Sequence, residues 1–356
     1  MNNCKFELDI VERMDYYQVP GVSIAELGEQ GIERTGYYGV LEKGKDSRVN
    51  KDSLFHACSM SKMVTSLGVL RLVQEGVVDL NEDVNKYLTS WKVPENAYTK
   101  EKKVTLANLL AHQGGFVDPE DSFGQFEIGD SIPTMKDILL GKTKFNPKPL
   151  QAEYVPGSQF SYSDAGFCII EQLIEDVTNT CFVTVMNRLI IQPLGLKKTF
   201  FWDYQIENGS LREGVKNIAG IGHDKNGCIV KGKRAFYPYL ASTGLWSTPT
   251  ELSLIVLEII SAWNGIDTGI LSPENARLML KGHGCNEAVG LGVFTSSDGG
   301  RMNLISKGWG IGFQCMLVAY PEQGRGIIIM TNSDPGKPQN ESLIGEIIKE
   351  YEKGTY

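Results

Sequence analysis

Ser59 and Lys62 stand three residues apart in Phe55-His56-Ala57-Cys58-Ser59-Met60-Ser61-Lys62. On a helix that spacing puts both side chains on one face, about one turn apart. A serine hydroxyl is a poor nucleophile until a neighbour takes its proton. A lysine does so when burial or nearby positive charge keeps its amine neutral. If Ser59 opens the helix, the free backbone N–H groups and the positive dipole end there suit an oxyanion. Ser-x-x-Lys is short, and it also describes a helix merely capped by Ser59.

Two further stretches carry chemistry. Tyr162 and Asp164, in Phe160-Ser-Tyr-Ser-Asp164-Ala165-Gly166, lie on a loop just ahead of a helical pattern. There they can act as proton carrier and polar anchor, or as a surface tyrosine and a helix cap. Ser306-Lys307-Gly308-Trp309-Gly310 falls at or between strands, where glycines allow close approach and a strand edge can donate an N–H to an oxyanion. The plainer meaning is a tight hairpin with an exposed Trp309. No G-x-S-x-G elbow occurs, and Gly290-Leu-Gly292 sits in a strand-like context unlike a dinucleotide fingerprint.

The elements that must position these groups follow from periodicity. Apolar positions predict a helix over 5–18, a hairpin from strands 22–27 and 31–40, and a polar loop over 43–52. Residues 59–75 form a helix apolar nearly all round, hence buried, stopped by Gly76. Further helices are expected near 80–87, 104–112, 135–140, 167–178, 182–190, 251–263 and 343–351. Strands are expected at 289–295, 302–306, 313–320 and 326–332. The result is a mixed α+β class: one antiparallel sheet from both chain ends, flanked by helices, with a mainly helical region inserted. Residues 1–356 are expected to form a single domain, with a sheet part at about 1–75 and 240–356 and a helical part at about 76–239.

The chain is 42% hydrophobic and 22% charged, with a net charge of −8, which argues against nucleic acid or an anionic membrane as main partner. Seven scattered cysteines without a C-x-x-C pair and four dispersed histidines indicate neither a disulfide framework nor a metal site, and no cofactor is expected. No window reaches the length of a membrane span, and residues 1–7 lack the apolar core of a signal peptide. The expectation is a cytoplasmic monomer, or a periplasmic or secreted one if a leader has been removed.

Taken in order, Ser59-Met-Ser-Lys62, Tyr162-Ser-Asp164 and Ser306-Lys307-Gly308 resemble the three motifs of the serine β-lactamase-like and penicillin-binding-protein-like hydrolases. Class C β-lactamases, D-alanyl-D-alanine carboxypeptidases and their esterase relatives are the nearest in kind. Leu72 to Leu80, Leu109 to Gly115, Tyr154 to Gly157, Pro193 to Leu196 and Gly244 to Thr248 are similar to that family's flanking sequence.

The resemblance implies that Ser59 is acylated, Lys62 accepts its proton and Tyr162 passes a proton to the leaving group. It implies an oxyanion hole from the backbone N–H groups of Ser59 and Trp309. It also implies that Asp164, Ser306, Lys307 and Gly308 meet substrate. Two departures stand out. Asp164 replaces the usual asparagine, and the third motif, aligned without a gap, has Ser306 where lysine or histidine is usual; a one-residue slip would put Lys307 there. The expected function is a serine hydrolase acting through an acyl-enzyme on a small ester, amide or peptide. The alternatives are a non-catalytic binder of a peptide or cell-wall fragment, and a β-lactamase or carboxypeptidase.

Overall fold

The computed structural model describes residues 2–3, 8–127, 130–203, 213–298 and 301–353. Ten strands occur among them: β1 (Asn2–Asn3), β2 (Gly21–Gly28), β3 (Gly31–Gly39), β4 (Phe55–His56), β5 (Phe200–Phe201), β6 (Leu245–Ser247), β7 (Phe294–Asp298), β8 (Arg301–Gly310), β9 (Phe313–Tyr320) and β10 (Arg325–Thr331). Seven form one sheet in the order β1-β3-β2-β10-β9-β8-β7, antiparallel except for the β1–β3 pair. β10 runs between β2 and β9, so the sheet joins both ends of the chain, as the hydrophobic pattern implies.

The central strands alternate between two cores with the period of two that a pleated strand imposes. Ile24, Met316, Val318, Ile327 and Ile329 pack under helices Ile10–Tyr17 and Leu343–Lys353. Leu27, Cys315, Leu317, Ile328 and Met330 face the other, larger core, shared with the helical region. Covered on both faces, β2 and β9 are buried along their whole length. Helix Ser61–Gln74 runs through the larger core and is buried on nearly every side. A second, three-stranded sheet, β4-β6-β5, delivers the chain into that helix.

Several expected boundaries move. Ser59 belongs to a 3-10 turn, Cys58–Met60, and the α-helix begins at Ser61. Cys58 opens that turn with a left-handed φ of 49°, which bars a right-handed helix from reaching back beyond Ser59. The expected helix at 80–87 is a single 3-10 turn, Val84–Lys86, capped by Asp83. The expected strand at 289–295 starts only at Phe294, because Gly292 turns the chain with φ of 74°. The first helix starts at Ile10 behind its Asp9 cap, and positions 5–7 of the expected one lie outside the described residues. Helix Pro273–Leu280 was not expected at all.

Candidate active site

Gly308 fixes the depth of the site. A Cβ at this position would lie 2.2 Å from the Ala57 carbonyl oxygen and 2.4 Å from Cys315 Sγ, so only glycine lets β8 press against the turn that carries Ser59. That turn is held from the other side too. Ala57 N donates to Leu245 O at 2.8 Å. Ser61 Oγ donates to Cys58 O at 2.6 Å and accepts from Leu245 N at 3.0 Å.

Lys62, only 2% exposed, points back along its helix toward Ser59. Its Nζ donates to Ser59 Oγ at 3.1 Å, to Asp164 Oδ1 at 2.6 Å and to the Ser242 carbonyl at 3.1 Å. Tyr162 lines the same cleft as Lys62 and Ser59, and the ammonium lies 4.9 Å from the centre of the Tyr162 ring. Burial acts to lower the Lys62 pKa. The Asp164 carboxylate, with Tyr162, outweighs it and holds the amine above its ordinary value. Although Tyr162 is 39% exposed, the desolvation of its hydroxyl inside the cleft raises its pKa, against the pull of the Lys62 charge.

Tyr162 and Asp164 flank Ser163, which caps helix Asp164–Thr178 by accepting from Gly166 N at 3.1 Å. Asp164 is therefore the first residue of that helix, and its side chain is free to meet Lys62. Two residues that periodicity did not single out hold the segment. Asp118 accepts from Ser163 Oγ at 2.9 Å, from Ala165 N at 3.3 Å and from Asp164 N. Burial and the neighbouring Asp164 charge push its carboxyl up to about 6. Buried His112 accepts from Ser163 N at 3.1 Å through Nδ1, and its ring stacks on Tyr162 at 4.2 Å. Burial, aided by the Lys62 charge, takes its pKa down to about 3, so it is a neutral acceptor.

A third unforeseen residue acts at longer range. Buried Glu171, two turns along the same helix, accepts from Ala241 N at 2.7 Å. It thereby secures the short helix Leu240–Thr243, whose Ser242 carbonyl faces Lys62. The only hint in the sequence is an acid amid the apolar run Phe167 to Ile174.

Ser306 is buried and Lys307 exposed, as alternation along β8 requires. Both border the cleft, together with Ser59, Lys62, His112, Tyr162 and Phe294. Lys307 makes no ion pair among the described residues. Trp309 is 44% exposed and donates through Nε1 to Asp334 Oδ1 at 2.7 Å. Gly310 pairs with Phe313 across the two-residue turn Ile311-Gly312, so Trp309 opposite Gln314 falls at a non-hydrogen-bonded pair. Its peptide N–H is directed away from β9. β7 pairs with β8 only as far as Ile305, leaving that edge open beyond it. Among the described residues no group of His, Cys, Asp and Glu could hold a metal ion.

An antiparallel sheet with a helical region packed on one face, and a serine–lysine pair at their junction, define the class of fold shared by β-lactamases and penicillin-binding proteins. The chain belongs to the Beta-lactamase family, whose model matches residues 6–350. Protein flp of Staphylococcus aureus (strain MRSA252) is 22% identical over 347 residues, covering 93% of this chain and 63% of its own length. The chain thus spans a little under two thirds of that relative. A penicillin-binding protein homologue from Pyrococcus abyssi superposes with a TM-score of 0.74 at 20% identity, over 96% of this chain and 75% of that one. D-amino acid amidase from Ochrobactrum anthropi SV3 does so with a TM-score of 0.73 at 19% identity, over 97% and 98%. At such identities the two structures speak for the fold.

Proposed function

We propose that this chain is a serine hydrolase that cleaves a small ester or amide through an acyl-enzyme on Ser59. The observation that carries the reading is the 3.1 Å contact between Lys62 Nζ and Ser59 Oγ inside a cleft that also holds Tyr162. In this mechanism a neutral Lys62 takes the Ser59 proton as Oγ attacks the carbonyl carbon. The backbone N–H groups of Ser59 and Trp309 receive the oxyanion. The leaving group departs with a proton passed through Tyr162, and a water then repeats the sequence against the acyl-enzyme.

Ser306 in place of a cation leaves a substrate carboxylate with a neutral hydroxyl for its anchor at that position, a weaker partner than a charged group. An ester or amide is therefore favoured over a β-lactam or a peptide ending in a free carboxylate. The test is an intact-mass readout after incubation with a fluorophosphonate, small esters, amino-acid amides and a chromogenic cephalosporin. A single adduct that vanishes in Ser59→Ala supports the reading. An adduct that persists in Ser59→Ala, or efficient cephalosporin turnover, overturns the mechanism or the substrate class respectively.

A further inference from the structure

The space left beside the reacting groups is very small. The cleft bordered by Ser59, Lys62, Tyr162, Phe294 and Ser306 is open to solvent on one side and holds a volume of about 10 Å³, room for about one water molecule. On the Tyr162 side its limit is Phe294, whose ring lies nearly parallel to the Tyr162 ring, 11° off, with centroids 6.3 Å apart. Tyr162 is itself backed by the stacked His112 ring.

The wall is anchored to the helix that carries Lys62. Ser66 Oγ donates to Leu291 O at 2.7 Å, Gly292 N donates to Leu110 O at 2.9 Å, and Leu291 N donates to Met279 O at 2.9 Å. A Cβ on Gly292 would lie 2.7 Å from Ser66 Cβ and 2.9 Å from Lys62 O. The segment before Phe294 is therefore pressed against its support, and Phe294 itself enters the β7–β8 ladder opposite Ile305. Such a wall acts as a fixed limit on size.

Which half of the substrate meets this limit follows from the chemistry. The carbonyl sits over Ser59, and the atom that leaves must lie beside the group that protonates it. Tyr162 is that group, so the Phe294 side receives the leaving group and the acyl part extends the other way.

We infer that Phe294 sets the specificity of the site for acyl compounds whose leaving group has one or two heavy atoms, primary amides foremost. The inference rests on the hydrolase reading. For a primary amide, the Ser59 Oγ–carbon bond forms and the carbon–nitrogen bond breaks. The serine proton travels through Lys62 and Tyr162 to the nitrogen, which leaves as ammonia. Water then cleaves the acyl-enzyme to the carboxylic acid and free Ser59. The space vacated by ammonia fits that water. A β-lactam, whose leaving nitrogen stays tethered to a bulky ring, does not fit it.

The experiment compares kcat/KM for the primary amide and the N-benzyl amide of one acyl group, and for its methyl and benzyl esters, in the wild type, Phe294→Ala and Phe294→Leu. The wild type should prefer the small leaving group by at least tenfold in each pair. Phe294→Ala should reduce that preference by at least tenfold, and Phe294→Leu by less. A folded Phe294→Leu, checked by its melting curve, keeps the test informative if the alanine variant does not fold. Equal turnover of small and benzyl leaving groups by a wild type that labels at Ser59 overturns this inference alone, as does a preference that neither variant changes. Absence of both labelling and turnover overturns the hydrolase reading, and this inference with it.

Discussion

Lys62 Nζ lies closer to Asp164 Oδ1, at 2.6 Å, than to Ser59 Oγ, at 3.1 Å. The resting lysine is thus committed to a carboxylate, with its amine held above its ordinary pKa. A base must be neutral to accept the serine proton, and raising its pKa moves that state to higher pH. The acid limb of kcat/KM should therefore lie on the alkaline side of neutrality. Asp164→Asn removes the opposing charge while leaving the burial that lowers the lysine. It should shift that limb downward by roughly 1–3 pH units. A pH–rate profile that does not move would show that Lys62 is not the titrating base.

Lys62 and Tyr162 both line the cleft at Ser59, so their losses should not add. Lys62→Ala and Tyr162→Phe should each lower kcat by roughly 10²–10⁴. The double variant should be little worse than the poorer single one. Multiplying losses in single-turnover kinetics would mean two independent roles.

Asp118 touches neither Ser59 nor Lys62, yet it grips the residues on which Asp164 stands. Asp118→Ala should cost about 1 kcal/mol of stability, as loss of a helix cap does. A misdirected Asp164 and Tyr162 should cost more in activity: kcat should fall at least tenfold, with KM little changed. A melting curve and steady-state kinetics on one sample check the two effects. Full activity in a destabilised variant would leave Asp118 a cap and nothing more.

The left-handed φ of Cys58 suits glycine and opposes β-branched residues. Cys58→Gly relieves backbone strain but gives up the buried sulfur. Its melting temperature should stay close to the wild type, with Ser59 still reactive. Cys58→Val should lose both stability and fluorophosphonate labelling. Matching behaviour of the two variants would show that the turn geometry does not depend on this residue.

The groups proposed for chemistry were legible because each sits beside a strong local signal. Ser59 and Lys62 precede a long apolar helix, Tyr162 and Asp164 precede another, and Ser306 to Gly308 lie in a glycine-punctuated strand region. Alternation then places Ser306 inside and Lys307 outside, with both bordering the cleft. Asp118 was not legible, because its partners Ser163, Asp164 and Ala165 are distant in sequence and it stands in a loop without periodicity. Phe294 is masked by an apolar pattern that runs on from residue 289, since the turn at Gly292 depends on contact with helix Ser61–Gln74. The two-residue strands β4 and β5 are too short for any period to show. Helix Pro273–Leu280 is different: Ser272 and Pro273 form a recognisable cap and first turn, and that signal was present in the sequence.

The pairing of β2 with β10 has a temporal meaning. Ile24 cannot meet Ile329 until the roughly three hundred residues between them have left the ribosome, and contacts between such distant segments form slowly. Gly308, which presses β8 against Ala57, belongs to the same late strands. The nascent chain therefore carries Ser59 and Lys62 long before the wall that shapes their cleft exists, and the cleft is complete only once β7 to β10 have been made.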